Sequence, residues 1–198
     1  DAFTNGDAFP MTPARMVWEV GQSLQGKDWV LAVNTVQDWA RKLWNLDQPY
    51  RHPGKHLGPG TQIGGSLGVA LAYKGTGKLV VDLQPDGDLM YDVGALWVAA
   101  HHQLPMRLVM YNNRAYYNTA SHQARIARAR GRGQENVHIG TAIDAPAPDF
   151  AGLARSQGWY AEGPIANAAD LPAALARAIQ VVEEEGKPAL VDAVTQAR

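Results

Sequence analysis

Residues 78–88, KLVVDLQPDGD, decide the fold class of this chain of 198 residues. The run 78–83 is short and apolar, which is typical of a buried strand. Pro85, Asp86 and Gly87 form a turn, and Asp88 can cap a helix that runs to about His102. A strand, a glycine-containing turn and a helix present backbone N–H groups and a positive helix end to an anion. The stretch therefore predicts one α/β unit with an anion-binding turn at the carboxyl end of its strand.

The same alternation of strands and helices continues on both sides of this unit. A proline-started helix follows Thr12, further helices are predicted over 63–73, 149–157 and 170–185, and further strands over 29–33, 108–111, 158–163 and 189–194. This alternation is typical of βαβ units around a parallel sheet. We therefore expect an α/β fold with a doubly wound, mostly parallel sheet and helices on both faces. It would form one domain over residues 11–198, after a linker over residues 1–10.

Composition excludes several classes of protein. The 18 Lys and Arg residues nearly balance the 19 Asp and Glu residues, so no basic field attracts nucleic acid or an anionic membrane. The absence of cysteine excludes disulfide scaffolds, thiolate zinc sites and cysteine-ligated iron–sulfur clusters. No apolar run approaches the ~18 residues of a membrane helix. We therefore expect a cytoplasmic protein, and the start at Asp1 without a methionine leads us to expect processing or an upstream segment.

Polar residues follow three of the predicted strands, in the loops 34–36, 84–88 and 112–116. Ligands of parallel sheets bind outside the carboxyl ends of the strands. Asp86 has the wrong charge for a bare phosphate, but it is explained if a divalent cation lies between the carboxylate and the phosphate. Mg²⁺ takes about six oxygen ligands, from carboxylates and from substrate phosphates. The side-chain oxygen of Asn113 and the carbonyl of Ala115 are further candidate ligands.

Asp86-Gly87, followed after 24 residues by Asn112-Asn113, resembles the thiamine diphosphate motif, in which Gly-Asp-Gly is followed at a similar distance by Asn-Asn. The resemblance extends to Met11-Thr12-Pro13, Leu104-Pro105 and the segments 148–154 and 186–192, and so covers about residues 11–196. On these residues the chain resembles the carboxy-terminal, diphosphate-binding domain of the acetolactate synthase and 2-oxoacid decarboxylase superfamily.

The resemblance implies that the chain binds thiamine diphosphate and Mg²⁺. Asp86, the side chain of Asn113 and the carbonyl of Ala115 would hold the metal. The backbone N–H groups of Gly87 and Asp88 would hold the diphosphate. Because a second carboxylate near phosphate is unfavourable, we expect the side chain of Asp88 to turn away and cap the helix.

Other positions of the resemblance concern the first loop and the glycine-rich helix. Thr35 would contact the same phosphate, whereas Val36 replaces a histidine that some family members use there. Ile63 would hold the cofactor in its bent V form, or Gln62 if the alignment shifts by one residue. Pro85 replaces the first glycine of the motif and removes one backbone N–H, and we expect the metal site to survive this change.

The remaining polar side chains around the site have more than one interpretation. His52 and His56 precede the glycine-rich helix, and they are either surface residues or candidates for proton transfer. Tyr116, with Tyr117 and His122, follows the metal loop, where relatives place residues that cover the cofactor and shape the substrate pocket. Tyr116 is therefore a third candidate catalytic residue beside the two histidines.

A less regular, basic segment continues to Gly133, with arginines at 125, 128, 130 and 132. It is interpreted as a solvated segment or as a clamp for an anionic substrate, to which a carboxylate or an acyl-CoA phosphate is suited.

The resemblance implies an enzyme, a thiamine diphosphate-dependent lyase, decarboxylase or carboligase (a transferase) for a 2-oxo or 2-hydroxy acid or its CoA thioester. In that superfamily a glutamate of an amino-terminal, pyrimidine-binding domain activates the cofactor, and a neighbouring subunit usually supplies it. No glutamate of this chain falls in a predicted loop near the site. We therefore expect the carboxy-terminal part of a larger enzyme, or one subunit of a two-subunit enzyme, in a dimer or tetramer. The alternative is a non-catalytic regulatory subunit that binds thiamine diphosphate.

Overall fold

The computed structural model describes residues 8–34, 39–49, 51–52 and 58–197. In this part of the chain one sheet contains the strands β1 (Trp29–Asn34), β2 (Leu79–Pro85), β3 (Arg107–Asn112), β4 (Tyr160–Ile165) and β5 (Ala189–Val194). Their order is β1-β2-β3-β5-β4, and every neighbouring pair is parallel. The α/β fold with a parallel sheet is therefore confirmed.

The helices are α1 (Pro13–Gln22), α2 (Trp39–Leu43), α3 (Gln62–Ala72), α4 (Asp86–Leu89), α5 (Ala95–His101), α6 (Tyr117–Ala129), α7 (Phe150–Ser156) and α8 (Leu171–Gln180). A π-helical turn over Val181–Glu185 extends α8. The start of α1 is the predicted one, because the Thr12 hydroxyl accepts a hydrogen bond from the backbone N–H of Arg15 at 3.1 Å. Within the described ranges, no helix has the length and apolar character needed to cross a membrane.

Alternation along the strands creates two apolar layers, one on each face of the sheet. Odd-numbered strand residues such as Leu31, Val81, Val109 and Val191 pack with α1 and α8. Even-numbered ones such as Val30, Val80, Leu108 and Leu190 pack with α3, α5 and α7. Because successive strand side chains point to opposite faces, apolar residues at both parities require helices on both sides.

The helix predicted from Asp88 to about His102 is wrong in its extent. The structure has the single turn α4, then non-helical residues, then α5. Val93 and Gly94 lie in the break, and both have low helix propensity. Asp88 lies inside α4 and caps no long helix, so the anion site depends on individual N–H groups and not on a long helix dipole.

The arginine-containing segment predicted to be irregular forms α6, a regular helix of 13 residues. None of its residues is buried. Its half-buried side consists of Tyr117 and three alanines, so the apolar period that identifies helices in a sequence is weak.

Candidate functional site

The carboxyl ends of β2 and β3 border a cavity of about 490 Å³. Its walls include six of the residues predicted for the site: Asp86, Gly87, Asp88, Asn113, Ala115 and Tyr116. The register of the sheet brings the two loops together, because Pro85 at the end of β2 pairs with Tyr111 near the end of β3. Two segments 24 residues apart in sequence thus meet at one edge of the sheet.

Asp86 and Asn113 converge on one backbone N–H group. The amide of Ala115 donates to Asp86 Oδ2 at 3.2 Å and to Asn113 Oδ1 at 3.0 Å. A carboxylate oxygen and an amide oxygen are therefore close neighbours facing the same cavity. This set of hard oxygen donors fits Mg²⁺, which takes one or two carboxylates and fills its remaining positions with other oxygens.

Burial affects the charge of Asp86. The residue is 1% exposed, and burial raises the pKa of its carboxyl to about 6. Hydrogen bonds from the backbone N–H groups of Gly87, at 2.8 Å, and Ala115 oppose this shift of the pKa. A divalent cation in the cavity would favour the ionised carboxylate further, because an opposite charge stabilises the charged form.

Asn112 has a structural role that differs from that of its neighbour Asn113. Its Nδ2 donates to Asp192 Oδ1 on β5 at 2.9 Å, and its Oδ1 accepts from the backbone N–H of Arg114 at 3.3 Å. Arg114 adopts a left-handed conformation with φ of 56°, which is uncommon for a residue with a Cβ. These contacts fix the turn that directs the Ala115 N–H toward the side-chain oxygens of Asp86 and Asn113.

The side-chain partners of Asp88 are not those of a helix cap. Its Oδ1 accepts from the backbone N–H of Gly60 at 2.6 Å, and its Oδ2 accepts from Gln84 Nε2 at 3.0 Å. The carboxylate thus joins the loop before α3 to the turn after β2. Asp88 nevertheless belongs to the cavity wall.

Tyr116 covers Gly87. A Cβ built on Gly87 would lie 2.6 Å from the Tyr116 ring, so no larger residue fits there without moving the tyrosine. Tyr91 meets Tyr116 edge to face with ring centroids 5.9 Å apart. Burial, and next the neighbouring Tyr91 and Asp86, raise the pKa of Tyr116, so its phenol keeps its proton.

The structure does not bring Ile63 to the cavity. Ile63 is fully buried in the apolar layer around α3 and α5, whereas Gln62 lines the cavity wall. Adjacent helix residues point about 100° apart, so the two side chains cannot share one face. The residue of α3 available to a ligand is therefore Gln62, and the expectation for Ile63 is corrected.

The other predicted residues lie partly at the cavity, partly away from it and partly outside the described ranges. His52 is half-buried and does not belong to the cavity wall. Thr35, Val36 and His56 lie outside the described residues. Tyr117 lines the cavity, while His122 contacts Arg125 at 2.9 Å.

Sequence reasoning missed three buried polar residues in the strands that lead to the site. Asp82 and Gln84 on β2 and Asp192 on β5 are fully buried. Burial raises the pKa of Asp82 to about 8 and that of Asp192 to about 6. The detectable signal was an acidic residue in each of two otherwise apolar strands, since acids are almost never fully buried without a reason.

Comparison with known proteins agrees with this geometry. Residues 32–193 match the family model described as "Thiamine pyrophosphate enzyme, C-terminal TPP binding domain"; thiamine pyrophosphate is the same compound as thiamine diphosphate. No curated protein matches the chain.

Solved structures share the fold at low sequence identity. The thiamine diphosphate-dependent 4-hydroxybenzoylformate decarboxylase of Rhodococcus jostii RHA1 superposes with a TM-score of 0.74 at 22% identity, over 94% of this chain and 33% of that one. Benzoylformate decarboxylase from Polynucleobacter necessarius gives a TM-score of 0.74 at 15% identity, over 96% of this chain and 34% of that one. A structure from Mycobacterium smegmatis, described as that of a thiamin diphosphate-dependent enzyme, gives a TM-score of 0.69 at 21% identity, over 94% of this chain and 32% of that one.

The chain spans about a third of the length of these structures. The family model covers more than four fifths of the chain and includes both loops of the cavity. The chain therefore belongs to the thiamine pyrophosphate enzymes, of which it has the carboxy-terminal, diphosphate-binding domain.

Proposed function

We propose that the chain supplies the diphosphate- and Mg²⁺-binding part of an enzyme that breaks or forms a C–C bond next to the carbonyl of a 2-oxo or 2-hydroxy acid or its CoA thioester. The observation that carries this proposal is the convergence of Asp86 Oδ2 and Asn113 Oδ1 on the Ala115 amide. When bound, thiamine diphosphate would supply a nucleophilic thiazolium C2 that adds to carbonyls and a positively charged thiazolium ring that takes up the electron pair of the C–C bond that breaks.

The chain's own residues would bind the metal and the diphosphate and orient the cofactor. Asp86, Asn113 and the Ala115 carbonyl would hold Mg²⁺, and the N–H groups of Gly87 and Asp88 would face the diphosphate. The ring of Tyr116 over Gly87 would keep water from that contact.

On α3, Gln62 takes the place we first expected for Ile63 beside the cofactor. It lines the cavity and is 3% exposed.

The activating glutamate is proposed to come from a pyrimidine-binding domain, in the same polypeptide or in a partner chain. Residues 11–198 would then form one domain of an oligomeric enzyme with a small-molecule substrate. Two of the structures of this fold are named as decarboxylases of 2-oxo acids, which supports decarboxylation as one candidate reaction.

Calorimetric titration of thiamine diphosphate with Mg²⁺ into the full-length protein tests this function. We expect saturable binding that requires the metal, is abolished by Asp86→Ala and is unchanged by Asp92→Ala. Asp92 is a matched control because it lies six residues further along the chain and is exposed. Absence of binding to the full-length, assembled protein would overturn the enzyme function and leave this fold with another use.

A further inference from the structure

The basic helix α6 has an arrangement that binding of the cofactor does not explain. It starts directly after Tyr116 at the cavity, and none of its 13 residues is buried. From Val93 to Gln134 the chain has six arginines and no acidic residue. Helices of this length are marginal without tertiary packing, and arginines one turn apart repel each other. One stripe of α6 is half-buried, whereas Arg125 and Arg128 are exposed, so an anionic group against these arginines would reduce their mutual repulsion.

Four polar side chains lie along one face of α6. Asn118, Ser121, Arg125 and Arg128 are spaced by three, four and three residues, which places them on one side of a helix. Asn118 and Ser121 belong to the cavity wall. The face therefore begins in the candidate cofactor site and leads away from it to two guanidinium groups.

Both arginines are exposed, and each contacts a side chain that is not a carboxylate. Arg125 Nη2 lies 2.9 Å from His122 Nδ1, and Arg128 Nη2 donates to Gln134 Oε1 at 3.1 Å. Among the described residues, neither has a carboxylate within ion-pair distance. Most of their N–H donors remain available for a phosphate, which guanidinium groups bind in bidentate fashion.

The distances select one class among the substrates considered. With a rise of 1.5 Å per residue, Arg125 lies about 6 Å and Arg128 about 10 Å along the helix from Ser121, the last residue of this face in the cavity wall. The carboxylate of a small 2-oxo acid adjoins its reacting carbonyl and cannot extend that far from the cavity. A thioester can, because its acyl group and its phosphates stand at opposite ends of a long arm.

We propose that the face Asn118–Ser121–Arg125–Arg128 binds the phosphorylated end of an acyl thioester substrate such as a CoA ester. This inference rests on the proposed function, since it assumes that the reacting carbonyl lies in the cavity. It selects the thioester from the substrates considered above and assigns Arg125 and Arg128 to substrate binding.

Isothermal titration of the full-length holoenzyme tests the inference with CoA, adenosine 3′,5′-bisphosphate, adenosine and ATP as probes. We expect CoA and the bisphosphate to bind and adenosine not to bind. The double variant Arg125→Gln/Arg128→Gln should lower the affinity for CoA at least about tenfold, because it removes two charge-assisted contacts. The control is Arg130→Gln, which should not weaken CoA because Arg130 lies about 140° around the helix axis from Arg125.

Thiamine diphosphate binding, measured on the same samples, separates this inference from the proposed function. Retained cofactor binding with equal CoA affinity in the wild type and the double variant would overturn only the inference. Dissociation of the oligomer in the double variant would also overturn the inference, since the arginines would then contact protein. Equal affinity of the wild type for ATP and CoA would overturn it as well, because it indicates unspecific binding of polyanions. Loss of cofactor binding in the wild type would instead overturn the proposed function.

Discussion

Replacing Asp82 by asparagine should remove a large pH dependence of stability. Asp82 lies in the middle of β2, fully buried, and neither carboxyl oxygen has a hydrogen-bond partner among the described residues. Burial is the main cause that raises its pKa from 3.8 to about 8; Asp88 raises it further, and the nearby Ser66 hydroxyl opposes the shift. The folded protein therefore keeps this proton at pH values where the unfolded chain releases it.

The sign and size of the effect follow from this difference. Between pH 4 and 8 the unfolded chain binds fewer protons at Asp82, so the free energy of unfolding falls as pH rises, by about 1.4 kcal/mol per pH unit. From pH 5.5 to 7.5 the loss is about 2–3 kcal/mol, a large part of the ~5–15 kcal/mol that stabilises a typical domain. An asparagine has no proton to lose, so the free energy of unfolding of Asp82→Asn, relative to that of the wild type, should rise by this amount over the same pH interval.

Urea unfolding followed by fluorescence of the six tryptophans measures this gain. Wild type, Asp82→Asn and the exposed control Asp92→Asn are compared at pH 5.5 and 7.5. Asp86 and Asp192 also have raised pKa values, both about 6, but they are present in all three proteins and cancel in the difference. If wild type and Asp82→Asn differ by the same free energy at both pH values, Asp82 is ionised in the folded protein and the argument from burial fails.

Two further substitutions separate the structural from the ligand-binding residues of the site. Asn112→Ala removes the donor to Asp192, so we expect a loss of about 1–3 kcal/mol in the free energy of unfolding by urea. Asn113→Ala should instead leave that free energy within about 0.5 kcal/mol and weaken Mg²⁺-dependent binding of thiamine diphosphate in calorimetry; equal stability losses in both would contradict this division. Gly87→Ala should weaken cofactor binding because its Cβ meets the ring of Tyr116, and the second change Tyr116→Ala should restore it in the same titration. No recovery in the double variant would show that the backbone of Gly87, and not the ring, limits binding.

Four of the strands were predictable from sequence because each is a short, mostly apolar run ended by a turn. The predicted strand 189–194 coincides with β5, and the predicted strand 29–33 ends one residue before β1 does. By contrast, β4 contains Glu162, Gly163 and Pro164 and begins two residues after the predicted start at 158. Helix α6 was not predictable from an apolar period, since it buries no residue. Its alanines and arginines have high helix propensity, so a propensity sum over the segment would have indicated it.

The proximity of Asp86 and Asn113 could be predicted from the sequence, but the side of α3 that faces the cavity could not. A motif that places polar residues at the ends of two strands needs only the direction of the strands to bring them together. Deciding between Ile63 and Gln62 requires the rotation of a helix to within one residue. The apolar Ile63 takes the buried position and leaves Gln62 to the cavity.

Sheet register joins the fold to the site. Tyr111 pairs with Pro85 on one side and with Ala193 on the other, so Asn112 is the last residue of β3 inside the sheet and Asn113 the first beyond it. Inside the sheet an asparagine meets the buried Asp192; beyond it an asparagine meets Asp86 across the Ala115 amide. A slip of one residue would turn each side chain to the opposite face and exchange these roles. Because β3 is buried on both faces, its apolar character alone does not oppose such a slip, but the close packing of its side chains in the two apolar layers does. In this way the core of the domain sets the geometry of its candidate metal site.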